Sequence, residues 1–507
     1  QELQGQKVQG LLYAGLIAAR TAQALDPART EARLELGWLH RQWAQSLRRH
    51  SENPREQLEQ ALGVIEALAR EEQKDPELHR LLGLVYKAYA DHEDAAGGEP
   101  LSWLDKAIES QRRVIQLDGN QMSTRIELAN AYLMRAAYAR APEPDKDLER
   151  ARQVLEEARA LNPRYVLLYF FEARAHRLRA LRHRARGEAT RPSWEASIEL
   201  NRQGSAINEQ LPYFHYNVGL NLLELAQEEW DQGGKALPWL EKAEAPLTRA
   251  IEVAPDNAYC HLNLGWMHVK RAEYLRAAGD NPEASVRAAE KALQRANERG
   301  NAGFLPWENL GRAHYTQAAF VLENKGDPRP FLARASEALS QALAKNPKAV
   351  ESTLFRAKVR ALQARWKARQ KARVEDVAKD FDEAGRLFRE ALRLEPANQD
   401  SRLAFGHFLR EWTSWKKEHG QESGPLLREG LSLAEALLME RQDVWPEAHV
   451  LRASLRLLQA EGAAPAEQRR LWQQAREELT RALKDNPNLG PAWNELLSRA
   501  RPPLDGP

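Results

Sequence analysis

Apolar residues recur at helical spacing along almost the whole chain, and no alternating apolar–polar run is long enough to read as a strand. Phe355, Val359, Leu362 and Trp366 are typical: steps of three or four residues put all four on one helix face. The positions between such residues are mostly polar or charged, so each helix has one apolar stripe and one wet face. The pattern predicts one helix over 7–25. Ten helix pairs follow, over 30–75, 77–118, 120–162, 164–211, 213–254, 256–300, 302–346, 348–395, 397–445 and 447–486. A short capping helix over 491–499 closes the series, and the tail Arg501-Pro502-Pro503-Leu504 cannot continue it.

The pairs repeat. A turn marker stands at Pro27, Pro76, Gly119, Pro163, Pro212, Pro255, Asn301, Pro347, Pro396, Pro446 and Pro487, with gaps of 41 to 50 residues. Seven or ten residues after each of the first ten markers comes Gly or Ala: Gly37, Gly83, Ala129, Ala173, Gly219, Gly265, Gly311, Ala357, Gly406 and Ala453. A small residue there lets the neighbouring helix come close. Many of the helices before a marker carry two alanines seven apart, as in Ala151 and Ala158, Ala243 and Ala250, Ala289 and Ala296, Ala335 and Ala342, Ala384 and Ala391, and Ala475 and Ala482. Seven residues is about two helical turns, so each alanine pair shares a face. A second set of prolines, 17 or 19 residues after the small residue in seven of the pairs and exemplified by Gly326-Asp327-Pro328-Arg329-Pro330, marks the start of the second helix, where a missing N–H costs nothing.

Ala243, Ala250, Pro255 and Gly265, with their counterparts, resemble the tetratricopeptide repeat, a helix–turn–helix unit of about 34 residues. The period here is near 46, and the added length falls in the first helices, which are expected to run past their packed region. The elongated unit with its Gly-Asp-Pro-Arg-Pro type of inner loop also resembles the repeat arrays that follow the kinase domain in bacterial, notably myxobacterial, Hanks-type serine/threonine kinases. The resemblance implies an all-α, right-handed superhelical solenoid of antiparallel helix pairs, about ten elongated repeats with terminal helices. Its expected divisions are an N-terminal helix over 1–29, continuing an upstream domain, the solenoid over 30–487, and a capping helix and tail over 488–507.

Composition narrows the partners. The chain has 507 residues, 74 of them basic and 72 acidic, a balance that argues against a general polyanion-binding protein. The single cysteine, Cys260, excludes an internal disulfide and points to a reducing, cytoplasmic compartment. It reads as a small packing residue. No run of eighteen apolar residues exists to span a membrane. The first residue is Gln and the helix over 7–25 is of the second type without its partner, so the chain is expected to start inside a larger protein, where any catalytic domain would lie upstream.

Catalytic motifs are missing from the sequence. Gly233-Gly234-Lys235-Ala236 lacks the upstream glycine and the hydroxyl of a phosphate-binding loop. Asp380-Phe381-Asp382 stands at a helix start without a glycine-rich loop or catalytic His-Arg-Asp. There is no zinc-type His-Glu-x-x-His. His261 and His268 share a helix face and could meet His314, a grouping more in keeping with core or solvated histidines than with a metal. No cofactor is expected, and no enzymatic activity within this stretch.

In tetratricopeptide arrays the first helices line the concave groove, which the register of small residues assigns here to Trp38, Arg80, Asn130, Arg174, Tyr216, Trp266, Arg312, Lys358 and His407. Arg312, Lys358 and His407 fall on consecutive units and would form a positive strip. Aromatic anchors beside them would suit a peptide. The Lys–Asn–Asn–Lys–Arg carboxylate clamp of chaperone-binding relatives is not reproduced. Two basic stretches, Arg174–Arg186 and Arg356–Arg373, contain no acid and read either as solvated helix faces or as a polyanion site. Trp103, Trp194 and Trp239, just after inner-loop prolines, read as packing residues. The expected role is a scaffold that binds a protein or peptide, acidic ones included, as the regulatory or recruiting region of a larger bacterial signalling protein. The alternatives are nucleic-acid binding through the basic helices, or the sensor of an upstream enzyme.

Overall fold

The computed structural model describes residues 5–27, 29–49, 52–96, 98–138, 140–300, 302–490 and 496. Within them lie 21 α-helices and one short 3-10 turn, and no strand. The turn marker Asn301, the capping helix expected over 491–499 and the tail after it lie outside the described residues, apart from Leu496.

The chain divides into two compact units. The first comprises residues 1–179 and 199–209, the second 180–198 and 210–507, so the division runs within two of the helices. The opening helices are α1 (Gly5–Leu25), α2 (Thr30–Arg49), α3 (Arg55–Glu71), α4 (Pro76–Ala95), α5 (Leu101–Leu117), α6 (Met122–Ala137) and α7 (Pro144–Leu161). The helices α8 (Val166–Ala185) and α9 (Arg191–Ile207) carry the division. The second unit continues through α10 (Pro212–Asp231), α11 (Leu237–Val253), α12 (Ala258–Ala278), α13 (Glu283–Arg299), α14 (Leu305–Glu323) and α15 (Arg329–Lys345). It ends with α16 (Val350–Arg369), α17 (Val374–Leu394), α18 (Gln399–Glu418), α19 (Gly424–Glu440), α20 (Pro446–Ala460) and α21 (Pro465–Asp485). The chain is an all-α array of tetratricopeptide-like helix pairs.

Local chemistry sets the helix ends. Asp75 and Asn257 cap α4 and α12 by accepting from the backbone N–H groups of Glu77 (2.8 Å) and Tyr259 (3.0 Å). Several second helices open on proline: Pro54, Pro100, Pro282 and Pro328 sit at the N-cap of α3, α5, α13 and α15, whereas α17 starts at Val374 without one.

Small residues set the packing. A Cβ on Gly265 would fall 2.6 Å from the Leu293 side chain of α13, so only glycine lets α12 approach its partner this closely. Gly311 meets Leu339 of α15 in the same way. All twelve alanines of the second-helix pairs, from Ala151 to Ala482, are wholly buried. The expectation that first helices run past their packed region is corrected. Seven residues beyond the first small row stands a second one, with Ala90, Ala180, Ala226, Ala272, Ala318, Ala364 and Ala460 fully buried. The added turns therefore pack as tightly as the rest, because each second helix starts early enough to meet them, as Val286 meets Ala272.

The other single residues fall into place around this scaffold. Trp194 is fully buried, and Trp103 stacks on Tyr89 with ring centroids 4.4 Å apart. Cys260 is buried, and burial pushes its thiol up to about 11, so almost no thiolate exists at neutral pH. No described helix is long and apolar enough to cross a membrane.

Candidate binding cavity

The first-helix register positions sort by unit. In the first unit they mostly engage one another. Arg80 lies 4.8 Å from the Trp38 ring centroid and holds Glu77 with two hydrogen bonds of 2.6 and 2.7 Å. Arg174 donates to Asn130 Oδ1 at 2.8 Å. Burial lowers the pKa of Arg174, and Asp91 partly opposes this. Further along the same helices Lys87 pairs with Glu127 at 3.0 Å.

In the second unit the same register opens on a cavity of about 450 Å³. Trp266, Arg312 and Lys358 line it, together with Glu224, Asp231, Lys270, Glu273, Glu351, Phe355, Asp400, Arg441, Trp445 and Glu447. Tyr216 and His407 do not line it. Tyr216 packs in the neighbouring apolar cluster, and burial raises its hydroxyl to about 12. His407 is pushed down to about 3 by burial, with Arg410 and Lys358 adding to the effect, so it is neutral at pH 7. The uninterrupted positive strip expected over Arg312, Lys358 and His407 is corrected. Arg312 grips Glu273 through two hydrogen bonds, the longer 2.9 Å, and carboxylates from other turns alternate with the cations.

Two loop contacts within the second unit join segments far apart in sequence. Gly187, in the left-handed region at φ +73°, fits where a Cβ would lie 2.5 Å from Val444 and 3.1 Å from the Arg441 carbonyl. Gln399 Nε2 donates to the Ala185 carbonyl at 3.3 Å. At the second contact Asn488 Nδ2 donates to the carbonyls of Trp230 (3.0 Å) and Gly234 (2.9 Å), and Gly233, with φ +80°, sits against Pro487. The second unit thus folds back until residues more than two hundred apart in sequence touch.

The electrostatics inside follow from partial burial. Burial pushes Glu273 up, but Arg312 and Lys270 outweigh it and hold the carboxyl at about 2. Burial lowers Lys270 and Lys358. It raises Asp231, although Gln227 donates to that carboxylate at 2.7 Å, and it lifts Glu447 to about 7 with the negative charge of Asp231 adding to the shift. Cations also lie over aromatic faces, Arg312 at 4.5 Å from Trp266, Lys358 at 4.4 Å from Phe355 and Arg441 at 3.6 Å from Trp445.

The other candidates are bound up in structure. Lys367 pairs with Asp380 at 2.7 Å, and Arg369 donates to the Leu322 carbonyl. Arg184 pairs with Glu224 at 2.7 Å. His261 contacts the Pro255 carbonyl at 2.8 Å, and burial pushes His314 down to about 4. Among the described residues no three His, Cys, Asp or Glu side chains are grouped to hold a metal ion.

Sequence reasoning missed Asp231, Lys270, Glu273, Asp400, Arg441 and Glu447. A usable signal was present. Positions 5, 8 and 12 beyond the small residue share a helix face with the position just after it, and Lys270, Glu273 and Asp231 occupy them. Six residues before it on three successive first helices stand Glu351, Asp400 and Glu447.

Fold and cavity together define a class, an all-α helical-repeat array with a charged internal cavity in its second unit. No protein-family profile and no curated protein matches the sequence. Among solved structures the chain is similar to human IFIT1, solved as a dimer with m7Gppp-AAAA, at 15% identity and TM-score 0.43, over 89% of this chain and 90% of that one. It is similar to yeast Tom70 at 13% identity and TM-score 0.35, over 91% and 96% of the two chains. A thermophilic tetratricopeptide protein of Thermus thermophilus, TTC0263, is similar over 47% of this chain and 98% of its own, at 18% identity and TM-score 0.32. At these values the fold assignment rests on the chain's own helix pairs.

Proposed function

We propose that this chain is an interaction scaffold that takes a segment of a protein or peptide partner into the cavity of its second unit. The supporting observation is the placement of Trp266, Arg312, Phe355 and Lys358 on three first helices around one cavity. An acidic side chain of the partner meets Lys358, and the aromatic faces flank it. The remaining groove positions, Trp38, Arg80, Asn130 and Arg174, belong in this reading to a separate strip on the first unit. The carboxylates among the cations count against nucleic acid, which would bring phosphates close to Glu273 and Asp400. In its wider setting the array serves as the regulatory or recruiting part of a bacterial, cytoplasmic signalling protein such as a serine/threonine kinase. The elongated period and the loop Gly326–Pro330 support that setting.

Selection from a random dodecapeptide display library on the immobilised chain tests this, with Lys358→Glu run in parallel. Enriched peptides that the variant no longer retains are expected. No enrichment, or enrichment untouched by Lys358→Glu, overturns the reading. A single-stranded oligonucleotide probe titrated at several salt concentrations checks the polyanion alternative, and the expected result is no binding at physiological salt.

A further inference from the structure

We propose that the cavity of the second unit recognises a paired signal, a basic side chain next to an acidic one on the partner peptide. This rests on the peptide-binding reading above and specifies its ligand. The argument starts from which cavity charges are already satisfied. Arg184 is paired with Glu224, and Arg312 and Lys270 share Glu273. Arg441 donates to the neutral Gln399 at 2.8 Å. Lys358 rests on the Phe355 face, and among the described residues it has no ion pair. Glu351 and Asp400 likewise form no hydrogen bond or ion pair among the described residues. Among the described residues the Asp231 and Glu447 carboxyls bond to the neutral side-chain amides of Gln227 and Asn486 and to no cation.

The cavity therefore offers two cations outside any ion pair among the described residues, Lys358 and Arg441, of which Lys358 has no hydrogen bond either, and a larger group of carboxylates outside any ion pair. A purely acidic ligand would satisfy Lys358 while bringing negative charge up to Asp231, Asp400 and Glu447. A purely basic one would do the reverse. A Lys or Arg beside an Asp or Glu satisfies both in one move, and desolvated charges gain most from such pairing. The cavity volume of about 450 Å³ lies in the range of small-ligand sites, so it suits a short run of residues and not a folded domain. The acid at the start of a first helix has its ordinary role as a partner of the helix N-terminus. That role does not require it to face a cavity. In the first unit the equivalent Glu77 is already taken up by Arg80.

The test uses four blocked hexapeptides, all Ala except for a central pair that is Lys-Glu, Gln-Glu, Lys-Gln or Gln-Gln. Their binding to the full chain is followed by tryptophan fluorescence up to millimolar concentration. The Lys-Glu peptide is expected to bind at least about tenfold more tightly than either half-neutral peptide. Asp400→Asn should erase the advantage of Lys over Gln and leave that of Glu. Lys358→Gln should do the opposite. Neither residue forms a polar bond within the described residues, so both variants are expected to fold, and far-UV circular dichroism confirms it. Equal binding of Lys-Glu and Gln-Glu, no binding of any of the four, or Asp400→Asn leaving the Lys preference intact overturns the paired-signal inference. Peptides enriched from the display library that carry only acidic or apolar residues overturn it while leaving the peptide-binding reading standing. An empty library selection removes both.

Discussion

The two units use one packing scheme and dispose their charges differently. In the first, a Cβ on Gly37 would fall 2.6 Å from Ile65, and in the second one on Gly265 would fall the same distance from Leu293. The polar face along the same helices tells the two apart. Arg80 is spent on Glu77 and Trp38, Arg174 on Asn130 and Lys87 on Glu127. In the second unit, Lys358, Glu351 and Asp400 line one cavity and form no hydrogen bond or ion pair among the described residues. The difference teaches that small residues carry the architecture, while the wet face of the first helices is free to vary without disturbing it.

If the scaffold is common, Gly37→Val and Gly265→Val should cost similar amounts, about 3 kcal/mol each, because both force a side chain into occupied core. Hydrogen exchange of α2–α3 and α12–α13 measures the two losses locally. A loss confined to one of them would break the comparison. At the next level the units should part. Glu273→Gln removes a partly buried partner from Arg312 and Lys270 and should cost about 2 kcal/mol, below the full value for a buried pair because both side chains keep some exposure. Glu77→Gln in the first unit breaks a more exposed pair and should cost about 0.5 kcal/mol or less. Equal costs would mean that the cavity is wetter than its lining implies. The closing contacts come next. Asn488→Ala deletes two hydrogen bonds to backbone carbonyls and should cost about 1.5 kcal/mol, seen as faster exchange in residues 230–236.

The architecture was legible because it depends on features that repeat. Proline at a turn, glycine or alanine at a crossing and alanines seven apart each have one physical meaning, and ten copies fix their register. The second small row, at Ala90, Ala272 and Ala364, was as plain in the sequence as the first, and reading it would have shown that the added turns are packed. The cavity was only half legible. Trp266, Arg312 and Lys358 followed from the register, but the carboxylates that turn a positive strip into a mixed site come from other turns of the same helices and from α10, α18 and α20. What brings those helices round one space is the way the second unit folds back on itself, with contacts such as Gly187 against Val444 that leave no periodic trace.

The smallest expected difference is a slope with pH. Glu447 titrates at about 7 in the folded chain, above its ordinary value of 4.5, because burial and Asp231 favour the neutral form. Its contribution to stability is therefore full below about pH 4.5 and is lost as pH rises through 7. One proton's difference between the folded and unfolded chains limits this slope to about 1.4 kcal/mol per pH unit. Glu447→Gln mimics the protonated form and should flatten thermal stability between about pH 5 and 8, while Glu77→Gln leaves the wild-type slope in place. Carbon-detected NMR titration of the Glu447 carboxyl reads the midpoint directly, and Asp231→Asn should move it down. A midpoint at the ordinary value, unmoved by Asp231→Asn, would mean that these two carboxyls do not share the cavity as the geometry places them.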